Sequence, residues 1–326
     1  MRRVLITGGT GFVGSHAVEE FLAGQWAVRA LVRNPSRLTW LAGLPVETVV
    51  GRLDDMESLR AAVRGCDVVV HCAGLTKALR REDFFRINGT AVGDFADAAR
   101  QAGVRRFVLC SSQAAAGPSA DGDPVTEDDD PHPVSAYGRS KLEGERLLRE
   151  NADGMEWIVL RPPSVIGPRD EQFLPLFRAV VRYGVYPQFG RGTQRYSLIS
   201  VHDLTRALRV AAETERGLND LYFVAHSEAL SWSELSAVIA RVAGRKARPL
   251  PLGKTALTVL SVISEITARW RGKPALLSRD KLGEIFASGW VCSSEKIRRV
   301  WGFECAWSAE ATIRDTLDAY RQANWL

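Results

Sequence analysis

Short apolar, β-branched runs alternate with segments of helical period through the first half of the chain. RRVLIT is followed by the helical SHAVEEFLAG, then AVRALV and VETVV, then SLRAAVRG and DVVVHCAG. The helical TAVGDFADAARQAG leads into RRFVLCSS, and SAYGRSKLEGERLLRE leads into WIVLRP. Strands that read as near-continuous apolar runs, with helices between them, predict a parallel sheet covered on both faces. Right-handed crossovers then give a doubly wound α/β fold. After Pro162 the rhythm changes, with denser proline, glycine and aromatic residues, and from about Leu230 the pattern is mostly helical. The expected division is a sheet domain over 1–162, to which a segment of about 196–226 returns. An interleaved lobe over 163–326 closes on the sheet's carboxyl edge, where ligands of such sheets bind.

Composition narrows the class. A chain of 326 residues can bury a sizeable core, and its net charge of +5 is spread out, not clustered with aromatics, which argues against nucleic acid. The modest positive charge suits a ligand carrying several phosphates. Cys66, Cys72, Cys110, Cys292 and Cys305 are odd in number and scattered, without a CxxC pair, so buried thiols in a reducing, cytoplasmic setting are expected, and no metal. TALTVLSVISEITARW is too short and too charged to span a membrane. It reads as an amphipathic helix able to lie against a membrane surface or a greasy ligand. The acidic run Glu127 to Asp130 reads as a solvated loop.

TGGTGFVG, Thr7 to Gly14, follows the first strand and opens a helix, the context of a dinucleotide-binding loop. Gly8 allows a tight turn, Gly11 a close approach to pyrophosphate, and Gly14 the packing of helix on sheet, with Thr10, Phe12 and Val13 completing the loop. This makes the sheet domain Rossmann-type. An NAD site usually ends its second strand with a carboxylate, but here LVRNPSR supplies Arg33 and Arg37, which favours the 2′-phosphate of NADP over NAD. Leu53 and Asp54 in GRLDD fall near the adenine.

VLCSSQAAAG ends the fifth strand with Ser111 and Ser112, and the next helix carries Tyr137 and Lys141 on one face. A phenol beside an ammonium is expected to titrate below its ordinary value, and a nearby serine can hold a substrate oxygen. That is a general acid/base arrangement for proton transfer alongside hydride transfer.

The glycine loop, the strand-end serines, YGRSK and LRPPSVIGPRD, in that order, resemble the extended short-chain dehydrogenase/reductase family, including its epimerase/dehydratase, hydroxysteroid dehydrogenase-like and flavonoid reductase-like members. The resemblance implies Ser112, Tyr137 and Lys141 as the catalytic trio, with Asn88 of RINGT assisting. It implies His71, Ala73 and Gly74 under the adenosine, Ser111 beside the cofactor, and Pro162 and Val165 at the nicotinamide amide. By their own setting, His71 and His202 read as structural histidines. Ser164, Gln113 and Arg195 are the implied substrate contacts, Arg195 being the arginine that can hold a nucleotide phosphate. Sugar-nucleotide epimerases tend to have Asn where this chain has Ser164 and Tyr where it has Ile166.

The second lobe's apolar helix and its Tyr183, Tyr186, Phe189 and Trp290 suit a sterol, terpenoid or aromatic carbonyl. The leading expectation is an NADP-dependent oxidoreductase on a lipophilic carbonyl or secondary alcohol. A sugar-nucleotide epimerase or dehydratase is the second. A cofactor-sensing regulator without turnover is the third, disfavoured because both Tyr137 and Lys141 are present. A small-molecule substrate is the expected partner, with a homodimer as the oligomer to test.

Overall fold

The computed structural model describes residues 2–36, 38–120, 123–189, 192–275 and 277–326. Arg37, one of the two arginines expected near the ribose, lies outside the described residues.

The N-terminal apolar runs form β1 (Arg3–Thr7), β2 (Ala27–Val32), β3 (Val46–Val50), β4 (Val68–His71), β5 (Arg106–Cys110) and β6 (Glu156–Arg161). Between them lie α1 (Phe12–Ala23), α2 (Met56–Val63), α3 (Arg81–Phe84), α4 (Ala91–Gln101) and α5 (Ala136–Asn151). The strands beyond are β7 (Ser164–Ile166), β8 (Val185–Phe189), β9 (Arg195–Tyr196), β10 (Leu198–Ser200) and β11 (Asp220–Phe223), with α6 (Leu174–Arg178) and α7 (Val201–Glu213) among them. β12 (Leu230–Ser231), α8 (Trp232–Val242), β13 (Arg248–Leu252), α9 (Lys254–Arg271), α10 (Arg279–Ile285), α11 (Glu295–Trp301) and α12 (Ala309–Gln322) complete the chain.

The main sheet has seven strands in the order β11-β6-β5-β4-β1-β2-β3. Its neighbours are all parallel. The order reverses between β1 and β4, which opens a crevice at their carboxyl ends.

Alternation within each strand sends side chains to opposite faces. Val4, Ile6, Val68 and Val70 pack with α1 and α7 through Val18, Phe21, Leu204 and Leu208. Leu5, Val69 and Phe107 pack with α2 and α4 through Leu59 and Phe95. β3 departs from the expected two-sided burial: it is the edge strand, and Glu47, Thr48 and Val50 on it are exposed or half-buried. The acidic run also differs from expectation. Glu127 is half-buried and accepts the Phe223 backbone N–H at 2.8 Å, fastening its loop to β11. Burial raises its carboxyl above the ordinary value.

The second lobe has its own core of Ile166, Leu176, Phe177, Val180, Leu198, Leu235, Ile239, Ile313, Leu317 and Tyr320. Asp170, fully buried at its edge, accepts backbone N–H groups of Gln172 at 2.7 Å and Phe173 at 3.1 Å. Burial outweighs those bonds and lifts its carboxyl from 3.8 to about 6. Between those two pH values the folded chain binds more protons at this site than the unfolded chain. Stability from Asp170 is therefore fully present below about pH 4 and is lost as pH rises through about 6. Comparing urea unfolding of the wild type with Asp170→Asn isolates the effect. The wild type should gain up to about 2 kcal/mol relative to the variant between pH 7 and pH 4, and a pH-independent difference would refute the assignment.

Candidate active site

The loop after β1 turns at Gly8, whose φ of +75° is left-handed and whose Cβ, were there one, would lie 2.9 Å from the Ala73 nitrogen. A side chain at Gly14 would meet the Gly8 carbonyl at 2.2 Å, so α1 reaches the loop only with glycine there. The Gly11 N–H donates back to the Gly8 carbonyl at 2.8 Å. No side chain caps the N-terminus of α1, so its first N–H groups remain available to an anion.

Beside this loop, between the sheet's carboxyl edge and the second lobe, lies a cavity of about 830 Å³. Phe12, Val13, Gly74, Asn88, Ser111, Ser112, Gln113, Tyr137, Lys141, Pro162, Ser164 and Val165 all line it. Ser135 caps α5 through the Gly138 N–H at 3.0 Å and so starts the helix two residues before Tyr137. One turn further, Lys141 Nζ donates to the Cys110 carbonyl at 2.8 Å. A further turn brings Glu145, fully buried and paired with Arg161 at 2.6 Å. Ser111 Oγ donates to the same carboxylate at 2.5 Å. Helix and strand ends are thus locked together beneath Tyr137 and Ser112.

Asn88 sits in a widened turn of helix, Phe85–Thr90, between α3 and α4. Its amide accepts from the Leu75 N–H at 2.8 Å and donates to the Leu75 carbonyl at 2.9 Å and to Ser140 Oγ at 3.1 Å. It therefore ties the loop after β4 to α5.

Burial pushes the Tyr137 phenol above its ordinary value, against the lowering influence of the Ser112 hydroxyl. The lowered phenol expected from the sequence is not what the chain's own groups produce. Burial dominates, and the Lys141 ammonium is committed to the Cys110 carbonyl. Burial also lowers Lys141, opposed by Cys110, Glu145 and Cys72. The thiols of Cys72 and Cys110 interact at the ends of β4 and β5, and the pairing raises Cys72 and lowers Cys110.

A seven-stranded doubly wound sheet with this loop and this cavity matches what a comparison of sequences finds. The family model described as NAD dependent epimerase/dehydratase matches residues 4–225.

The chain belongs to the NAD-dependent epimerase/dehydratase family.

It is accordingly an NAD(P)-dependent oxidoreductase or epimerase of the extended short-chain dehydrogenase/reductase type. It is 32% identical to a ceramide reductase of Caulobacter vibrioides over 99% of this chain and 96% of that protein. It is 27% identical to the 4-hydroxy-2-methyl-3-oxo-4-farnesyl-3,4-dihydroquinoline-1-oxide ketoreductase of Stigmatella aurantiaca, over 98% and 96% of the two chains. Its fold is that of the UDP-glucose 4-epimerase of Thermotoga maritima, with a TM-score of 0.82, 20% identity and 99% of each chain covered.

Within this family member, the other expected site residues fall in different places. Thr10 and Gly11 are exposed on the loop, and Ala73 is fixed by donating its N–H to Thr7 Oγ1 at 3.1 Å. Arg33 is exposed just past β2 and makes no ion pair among the described residues. Leu53 packs on the core beneath, and Asp54 is engaged by Arg52 at 2.9 Å and by Arg86. His71 has no exposed surface with which to contact a cofactor. It lies inside the sheet, 2.9 Å from Thr7 Oγ1 and packed on Phe95, and burial holds it neutral with a pKa near 3. His202 bonds Asp315 at 2.9 Å and stacks on Trp307. Arg195 does not line the cavity; its guanidinium donates to the Ala229 carbonyl and faces Glu234 at 3.6 Å.

Of the expected aromatics, Phe189 and Trp290 line the cavity, whereas Tyr183 is 74% exposed and Tyr186 packs on the second core. The pattern did not single out Trp232. Its ring is surrounded by Phe189 at 5.7 Å, Tyr196 at 5.9 Å and Phe173 at 6.1 Å, and all four line the cavity. The available signal was the capping box Ser231–Glu234, which fixes the helix that Trp232 begins. Buried Gln113 Nε2 and Trp232 Nε1 have no hydrogen-bond partner within the described residues.

Proposed function

We propose that this chain reduces a carbonyl, or oxidises the corresponding secondary alcohol, on a lipophilic substrate with NADP as the preferred cofactor. The observation that carries the reading is the cavity itself. Its lining brings Tyr137 and Ser112 into one space with the cluster of Trp232, Phe189, Tyr196 and Phe173. The aromatic patch suits an apolar body, while Tyr137 and Ser112 can orient one oxygen; the charged lining residues, among them Lys77, Arg81, Arg279 and Lys281, leave room for a polar end on the same substrate.

The glycine loop and the α1 N-terminus suit the pyrophosphate, Arg33 the 2′-phosphate, and Pro162 and Val165 flank the position for the nicotinamide. When bound, the nicotinamide supplies or takes the hydride. Ser112 holds the substrate oxygen and Tyr137 exchanges a proton with it. The phenol is protonated at neutral pH, and burial holds its proton more firmly still, so Tyr137 is set up as a donor. Lys141, one helical turn beyond Tyr137 and held by the Cys110 carbonyl, is positioned to steady the cofactor's ribose.

The names of two relatives, a ceramide reductase and a ketoreductase of a farnesylated dihydroquinoline oxide, support a lipophilic substrate. A second reading, nucleotide-sugar epimerisation, is favoured by Lys77, Arg81, Arg269, Arg279 and Lys281 on the cavity wall. Against it stands Arg195, already engaged by Ala229 and Glu234. The test follows NADPH absorbance with long-chain ketones, sterol ketones and aromatic aldehydes, beside UDP-glucose followed for epimerisation. Consumption of NADPH by one of the lipophilic classes is expected. UDP-sugar epimerisation without net NADPH oxidation would overturn the proposal in favour of the second reading.

A further inference from the structure

α9 is amphipathic in the opposite sense to an ordinary surface helix. At 100° per residue, Val259, Ile263, Ile266 and Trp270 share one stripe, and Leu257, Ser261 and Ala268 share the opposite one. A helix of a soluble domain turns its large apolar stripe inward. Here the buried stripe is the one with serine and alanine. Ile263 and Ile266 are half exposed and Trp270 is 90% exposed, with Leu260 and Val262 exposed beside them. Five contiguous branched apolar residues and a tryptophan on one helix face are more than scattered surface hydrophobics, and such a patch marks an interaction site.

The surrounding charge says what the partner is. From 245 to 273 the chain holds seven basic residues, Arg245, Lys246, Arg248, Lys254, Arg269, Arg271 and Lys273, and one acidic residue, Glu265. Glu265 is engaged by Arg279 at 3.0 Å. Arg269 and Arg271 flank Trp270 on either side of the apolar stripe. We propose that this face docks on an anionic lipid bilayer, with α9 lying in the plane of the headgroups. Branched aliphatics enter the acyl boundary, Trp270 occupies the interfacial level, and the arginines and lysines meet lipid phosphates. No described helix is long and apolar enough to cross a membrane, so α9 lies on the bilayer and does not span it. A second copy of the chain is a poorer occupant. A parallel two-fold pairing through this stripe would set the Arg269, Arg271 and Lys273 cluster near its own image, and an antiparallel one would bring it to the Lys254 end, so neither offers it an acidic partner.

The position of the helix gives the docking a consequence. Ala268 and Arg269 of α9 line the cavity. A bilayer on the outer face therefore lies about one helix diameter from the cavity lining. The docking itself rests on the α9 surface and not on which substrate the cavity takes, so vesicle binding and turnover are read separately.

The test is co-sedimentation of the full chain with vesicles of phosphatidylcholine alone or mixed equally with phosphatidylglycerol. The wild type should sediment with the mixed vesicles, less with phosphatidylcholine alone, and less at high salt. Ile263→Glu with Ile266→Glu should lower binding at least about tenfold, since it places two charges in the apolar stripe. Arg271→Glu with Lys273→Glu should lower binding to the mixed vesicles selectively. Both variants change exposed side chains, so thermal melting should stay at the wild-type value; a lowered melt would call for Trp270→Ser as the replacement probe. Wild-type protein that stays in the supernatant with mixed vesicles would overturn the proposal. So would sedimentation that the apolar-stripe variant leaves unchanged. A wild-type dimer that this variant splits would assign the face to a second copy instead.

Discussion

Tyr137→Phe should lower kcat by at least about 10²-fold, the usual scale for losing a positioned general acid or base. The substitution removes one oxygen and leaves the ring, so its edge contact with Phe84, the fold and cofactor binding should persist. Lys141 and Glu145 keep their own bonds to the Cys110 carbonyl and to Arg161. Because KM reflects contacts the ring still makes, the loss should fall on kcat. The pH profile adds a second readout. With a phenol held above its ordinary value, reduction should stay active through neutral pH and fall only at high pH as the donor is lost. The measurement is steady-state turnover of the confirmed substrate by wild type and variant across pH, with NADPH affinity titrated in parallel. A variant near wild-type kcat would remove Tyr137 from proton transfer.

The second large effect concerns which dinucleotide binds. Arg33 follows the last residue of β2, next to β1; with the pyrophosphate on the β1 loop as proposed, the ribose would fall within its reach. It is exposed and unpaired among the described residues, so no internal partner has to be given up. A guanidinium grips a phosphate with two parallel hydrogen bonds and keeps its charge at neutral pH. A charge-assisted contact of roughly 1.5–3 kcal/mol corresponds to a preference of about ten- to a hundred-fold for NADPH over NADH. Asp54, expected from the sequence near the adenine, is engaged by Arg52 and Arg86. Arg33→Asp should reverse the order, since a carboxylate repels the 2′-phosphate and accepts from ribose hydroxyls. Calorimetric titration of both cofactors into both proteins checks it. Equal affinities in the wild type would mean that Arg33 stays in solvent.

The sequence by itself determined the sheet, the glycine loop and the facing of Tyr137 and Lys141. The strand faces, the loop and the helix face each depend on residues near in sequence, and the alternation of strands with helices implies the parallel order of the sheet. Alternation in Val4, Leu5 and Ile6 decides which face each side chain takes, Gly14 is demanded by a loop six residues away, and a spacing of four puts two side chains on one helix face. Tertiary structure decided the rest. His71 could be assigned to the adenosine segment by its position, but only burial among Thr7, Phe95 and Phe107 withdraws its ring from any ligand. Arg195 could be read as a phosphate holder, but the Ala229 carbonyl, 34 residues away, claims it. Trp232 became the centre of the cavity wall only when β8, β9 and α6 delivered Phe189, Tyr196 and Phe173 around it. The period of α9 predicted an amphipathic helix correctly, yet period fixes only that two faces differ. Which face turns to the protein depends on what lies beneath, and there the space between α9 and the cavity admits Ser261 and Ala268, leaving Ile263, Ile266 and Trp270 outside.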